Sequence, residues 1–289
     1  MKFTAAFTMF DPAQLIPLAL VAEEVGFDSI CVPDSVFYPE KVSAPYPYTR
    51  DGERFWAGET PFTDPFVAIP AMASVTQRLT FYTNVLKFPL RSPLLVAKQV
   101  ASIAAMFEGR IALGVGLSWI QEEFDWTQTE KRTRGARVDE GIEIVRKVCA
   151  GGGPQWVEHH GKHYDFDRLM ISPAPQQRVP IWVGGHSEPA LKRAARTGDG
   201  WISVNVKTPQ IAEAIDQLRS LRGGLDGFDI SVMATDAFDL DGYRRLEDLG
   251  VTHAQCVPWY MHGGEPDALD TKVDSLKRFG DEIISRYDA

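Results

Sequence analysis

Cysteine is scarce in this chain: only Cys31, Cys149 and Cys256 occur in 289 residues, far apart and each in apolar company. That spacing excludes a disulfide frame or a thiolate zinc box and reads as buried thiols of a reducing compartment. Positive charge is short as well, with 30 Lys and Arg against 39 Asp and Glu, a net charge of −9 and no basic run. Such a field repels phosphodiester backbones, so no nucleic acid is expected as a partner. No apolar stretch is long enough to span a bilayer, and the opening KFTAAF reads as a strand rather than a leader. The expectation is a cytoplasmic chain that does not engage a membrane. Also missing are a GxSxG elbow, a Cys/His pair at loop positions and, in the first strand-to-helix turn TMFDPAQL, the glycine fingerprint of dinucleotide folds. Covalent catalysis therefore has no motif to rest on.

What is present is ample apolar material, 44% of residues, arranged as alternating strand and helix patterns. Lys2 to Phe7 reads as a strand, Asp11-Pro12 caps a helix with Leu15, Leu18, Ala19 and Ala22 on one face, and Gly26 stops it before the apolar run FDSICVP. The same construction, helix then glycine then strand then proline, returns near the end as EDLGVTHAQCVP. Eight such units in 289 residues predict one α/β domain over residues 1–289, a closed (β/α)8 TIM barrel with its active site at the carboxyl ends of the strands. An open doubly wound sheet also satisfies the alternation. Two segments break the repeat. Residues 36–63 dissolve into prolines, glycines and aromatics, and residues 153–179 hold EHHGKHYDF, a predicted hairpin inserted before strand five.

If the barrel closes, residues just past each strand meet in space. Strand two offers Asp34 and Ser35, strand three Asn84 to Lys87, and strand four Leu117, Ser118 and Trp119; strands six to eight add Asn205, Asp236 and Trp259. Strand five ends in PIWVGGHSEP, where Gly184 and Gly185 allow close backbone approach and the following helix start favours an anion, with His186 and Ser187 as further donors. On its own the segment reads equally as a strand end and a helix cap. His159, His160 and His163 read as a solvated hairpin face, and no metal is expected. Glu122 and Glu123 offer an acid/base pair or first-turn charges, Trp56 and Trp119 wall an apolar pocket or pack plainly, and Arg50, Arg54 and Lys87 are candidates to meet an anion. A flat ligand with an anionic tail suits this rim.

Three segments, GFDSICVPDSVF, TNVLKFPLRSPLLVAKQVASIAAMFEGRIALGVG and PIWVGGHSEPALKRAARTGDGWI, resemble the luciferase-like monooxygenase superfamily over nearly the whole chain. The PYPYTRDGE loop is similar to the branch assigned to the deazaflavin coenzyme F420. The resemblance implies a bacterial luciferase-like barrel, usually a homodimer, with F420 or, alternatively, FMN bound at the strand ends. It places Asp34 beside the ring, a cis peptide at Asn84-Val85 behind it, and Gly184, Gly185, His186 and Ser187 at the cofactor phosphate. Lys87, Leu117 and Ser118 complete the cofactor's surroundings. Sugar-phosphate-oxidising relatives carry a histidine after the Asp of strand two and a glutamate after strand four, where this chain has Ser35 and Trp119. Neither is a good base near neutral pH. The expected reaction is therefore reduction of an activated double bond or carbonyl in a small apolar or planar molecule, the proton coming from Ser35, Tyr46, Tyr48 or water, with Trp119 and Glu122 as further catalytic candidates. The alternatives are an FMN-dependent two-component monooxygenase fed by a partner reductase, and a ligand-binding barrel without redox chemistry.

Overall fold

A computed structural model describes residues 1–47, 49–261 and 264–287. Short polar side chains and prolines start the helices where the sequence places them: Asp64 Oδ1 accepts the Phe66 N–H at 2.8 Å ahead of the helix opened by Pro65, and Asp239 takes the Gly242 N–H at 2.7 Å. In chain order the elements are β1 (Lys2–Ala6), α1 (Leu15–Glu24), β2 (Ser29–Val32), α2 (Pro65–Ala73), β3 (Thr80–Thr83), β4 (Leu86–Lys87), α3 (Pro93–Met106), β5 (Ile111–Gly116), α4 (Gln121–Trp126) and α5 (Arg134–Val148). There follow β6 (Trp156–His160), β7 (Asp165–Met170), β8 (Ile181–Gly184), α6 (Glu188–Thr197), β9 (Gly200–Val206), α7 (Thr208–Arg222), β10 (Asp229–Ala234), α8 (Leu240–Leu249), β11 (His253–Cys256) and α9 (Leu269–Phe279).

The strands close on themselves. β1 pairs with both β2 and β11, in the registers Thr4↔Ser29 and Lys2↔His253, and β3 pairs with both β2 and β5, so no edge remains where an open sheet would have two. All pairings in this sheet are parallel, which makes the fold a closed (β/α)8 barrel whose strands all point their carboxyl ends one way. β3 and β4 are two pieces of its third strand. Tyr82 faces Ala112 and Leu86 faces Val115, four steps along one strand against three along its neighbour, which is the count of a β-bulge. The Asn84-Val85 peptide inside that bulge is cis.

Most of the apolar core lies between the sheet and its helices, where Leu18, Ile69, Val96, Val145 and Leu246 are buried. Inside the barrel the filling is mixed. Tyr82 and Trp182 meet at 4.7 Å between ring centroids, and a buried chain of hydrogen bonds runs from Tyr82 through Ser231 and Gln255 to Asn84. Every link is satisfied at 2.8–3.0 Å, as a polar group in such a place requires.

The insertion before the fifth barrel strand is the antiparallel hairpin β6–β7, turned at residues 161–164 and fastened by Glu140 of α5, which accepts the N–H groups of Lys162, His163 and Tyr164. His159 departs from the expected solvated face: it is 5% exposed and lies against Phe166, while His160 stays outside on Asp165. The helix α4 carries Glu122 and Glu123 in its first turn. Residues 33–64 hold no helix or strand among those described. Among the described residues no helix is long and apolar enough to cross a membrane.

Candidate active site

A cavity of about 540 Å³ opens at the carboxyl ends of the strands. Its floor is the third-strand bulge. Val85 projects between β5 and β8, and glycines on both sides make the room: a Cβ on Gly116 would lie 2.4 Å from Val85 Cγ2, and one on Gly184 would lie 2.8 Å from Val85 Cγ1. Ile202, Met233 and Val257 continue the apolar surface. Gly184 and Gly185 form one wall, Gly185 at φ +118, where side chains are strained and where a Cβ would meet Ala190 at 3.0 Å. The start of α6 follows immediately, so backbone N–H groups without intrahelical acceptors lie next to this glycine pair. His186 joins the wall with Nε2 2.9 Å from the Ser203 hydroxyl, and burial holds its pKa below the usual histidine value. Ser187, by contrast, is an exposed helix N-cap that does not line the cavity.

Asp34 is almost sealed. Arg91 grips it with two bonds of 2.8 and 3.0 Å, and the Lys87 N–H adds a third at 2.8 Å. Burial nevertheless raises the carboxyl above the ordinary 3.8, against the pull of Arg91 and Lys87. Arg91 was not among the residues the sequence singles out; an arginine seven residues past a bulge carries no motif. Asn84 turns inward, donating to Gln255 Oε1 at 2.8 Å and to Cys31 Sγ at 3.3 Å. The Cys31 thiol lines the cavity, but burial pushes it up to about 12, so it offers no thiolate near neutral pH.

The adjacent acids separate. Glu122 stays outside the cavity, where its Oε1 accepts the Ser43 N–H at 2.8 Å, so the catalytic role considered for it has no geometry to support it. Helical geometry turns its neighbour about 100° away. Glu123 thereby faces inward with no exposed surface, ion-paired to Lys87 and accepting a hydrogen bond from the Ser118 hydroxyl.

The outer wall is aromatic. Tyr46 stands 5.0 Å from Trp56 and 5.4 Å from Trp119, and Phe55 and Phe62 extend the cluster. Ser35 and Leu117 also line the cavity; Tyr48 lies outside the described residues. Other rim expectations go elsewhere. Trp259 is core, packed on Phe10, and its neighbour Tyr260 lines the cavity instead. Asp236 holds the Thr208 N–H and hydroxyl at the start of α7, Arg54 lies over the Tyr38 ring at 3.6 Å, and Arg50 is exposed.

The fold agrees with what the chain is similar to. It belongs to the luciferase-like monooxygenase family, whose model matches residues 4–238. An uncharacterised protein of Mycobacterium tuberculosis is 41% identical over 99% of this chain and all of its own length. The F420-dependent glucose-6-phosphate dehydrogenase of Nakamurella multipartita is 29% identical over 97% of this chain and 78% of its own. The crystal structure of the monooxygenase RslO1 from Streptomyces bottropensis superposes with a TM-score of 0.74 at 18% identity, covering 99% of this chain and 100% of that one, which is a likeness of fold.

Proposed function

We propose that this protein is a coenzyme F420-dependent oxidoreductase that reduces a small apolar or planar molecule. The observation that carries the reading is the cavity itself: an apolar floor at Val85, cleared by Gly116 and Gly184, running into the Gly184–Gly185 wall beside a helix start. A flat ring fits the floor and an anionic tail fits the wall. Gly116 and Gly184 seat Val85, and Gly185 takes a turn that a side chain would strain, so the residues present suit such a group. A bound deazaflavin supplies a hydride; the protein supplies placement, polarity and exclusion of water. Val85 backs the ring, the N–H groups at the α6 start meet the tail, and Tyr46, Trp56 and Trp119 keep solvent from the face where an acceptor lies.

Reduction is favoured over oxidation of an alcohol because the acids near the cavity are already engaged: Asp34 by Arg91, Glu123 by Lys87 and Ser118. The same pairing leaves no lining cation without an internal carboxylate partner for a substrate phosphate, among the described residues. Ser35 and Trp119 stand where sugar-phosphate-oxidising relatives carry histidine and glutamate. Titration of tryptophan fluorescence tests the cofactor, with Trp56 and Trp119 as reporters at the cavity wall. Quenching by coenzyme F420 well below the concentration at which FMN acts is expected. A tighter response to FMN, with oxygen consumed when reduced FMN is supplied, would favour the two-component monooxygenase instead.

A further inference from the structure

Lys87 does more than a structural ion pair requires. It follows the Asn84-Val85 bulge, lines the cavity with its side chain 15% exposed, and holds its ammonium against Glu123, a carboxylate with no exposed surface. Ser118, itself part of the cavity wall, fixes the other carboxylate oxygen. A buried ion pair is an indifferent way to stabilise a fold, since apolar residues of similar volume do as well. Placed beside an otherwise apolar floor, however, it sets one cation next to the cavity, where little water screens it. The other nearby groups do not compete for that ammonium. Asp34 is engaged by Arg91 and takes its one hydrogen bond with Lys87 from the backbone N–H, leaving the ammonium to Glu123, and Ser35 offers an aliphatic hydroxyl, a far weaker acid than an ammonium.

We propose that Lys87 is the proton donor of the reduction, and that Glu123 and Ser118 are positioning residues that hold its ammonium at the cavity wall. The proposal rests on the reading of this cavity as a site of hydride transfer. When a hydride from the reduced deazaflavin adds to the electron-poor carbon of an activated C=C or C=O, the displaced electron pair moves onto the acceptor's oxygen. One N–H bond of Lys87 then breaks as an O–H bond forms, and the amine regains its proton from water at the partly exposed side of the residue. The acceptor gains one hydride and one proton, the deazaflavin is oxidised, and the Lys87–Glu123 pair returns to its starting charge.

A phenol whose ionised form absorbs apart from its neutral form imitates the developing oxyanion, and 4-nitrophenol is flat enough for the aromatic wall. Absorbance titration across pH, with free and bound probe compared, reads the ionisation of the bound molecule. In the wild-type protein the bound probe should ionise at least one pH unit lower than in solution, about a tenfold gain in phenolate. Lys87→Arg keeps a cation on Glu123 and should keep the shift. Lys87→Met/Glu123→Gln removes both charges, leaves no lone buried carboxylate, and should lose the shift. Glu123→Gln alone should lose part of it. A probe that does not bind, that binds as the neutral phenol, or that stays ionised in the double variant would overturn the role given to Lys87. A Lys87-dependent shift in a protein that ignores coenzyme F420 supports the acid group and removes the coenzyme reading alone.

Discussion

Removing Arg91 tests the worth of the Asp34 pair, together with a more exposed bond of 3.1 Å from Arg91 to Asp64. Arg91→Met keeps the length of the side chain and deletes both bonds to a carboxylate whose side chain is 1% exposed. Breaking a buried pair costs about 3–5 kcal/mol, because the remaining charge is stranded. The lower end applies here: Arg91 is itself 17% exposed and Asp34 retains the Lys87 N–H. A loss of about 3 kcal/mol corresponds to a fall in Tm of about 5 °C for a chain of 289 residues. The pH dependence is the sharper signature. Burial already raises the Asp34 carboxyl above 3.8, and losing Arg91 raises it further. A carboxyl raised on folding contributes stability in its protonated form, present below the unfolded value and lost as pH climbs through the folded one. The deficit of the variant should therefore be full at neutral pH and shrink toward pH 4. Urea denaturation at the two pH values measures it, with Arg91→Met/Asp34→Asn recovering most of the loss. Equal deficits at both pH values, or no recovery in the double variant, would refute the reasoning.

Further outcomes follow from single positions. Gly114→Ala puts a Cβ 1.9 Å from the Thr83 carbonyl oxygen, a rigid backbone atom, so a loss of about 3 kcal/mol or more, or outright failure to fold, is expected in chemical denaturation. Gly184→Ala brings a Cβ to 2.8 Å from Val85 Cγ1, so the floor must shift; a loss of about 1–3 kcal/mol is expected in chemical denaturation, and calorimetry should show affinity for coenzyme F420 down about tenfold, or 1.4 kcal/mol. His253 is depressed to about 3, chiefly by burial and then by the positive charges of Lys2 and the N-terminus. Its neutral form therefore adds stability that is complete above pH 6.5 and lost as pH falls toward 3, and His253→Asn should flatten that part of the acid unfolding curve.

The barrel was legible because every unit repeats the same local instructions: Asp64-Pro65 starts a helix, Gly250 at φ +105 ends one, and an apolar run follows. The glycine wall and the aromatic segment were legible for the same reason, as departures from that repeat. Other features depend on what faces what across the barrel. Glu122 and Glu123 are identical letters in the sequence, and only the rotation of α4 sends one to Ser43 and the other to Lys87. Arg91 becomes part of the site because the third strand delivers it to Asp34, 57 residues away. His159 reads as polar until the hairpin folds onto α5, and Ser187 reads as a donor until its helix start turns it outward.

The rings from Tyr46 to Phe62 belong to one stretch between β2 and α2, which meets the rest of the rim through the Ser43 N–H on Glu122 and the contact of Tyr46 with Trp119. Transplanting that stretch from a relative would thus exchange the upholstery of the chamber while its frame, the glycine-lined slot and the Arg91 clasp, stays untouched. Diversification of substrate choice across such barrels can proceed by cassette.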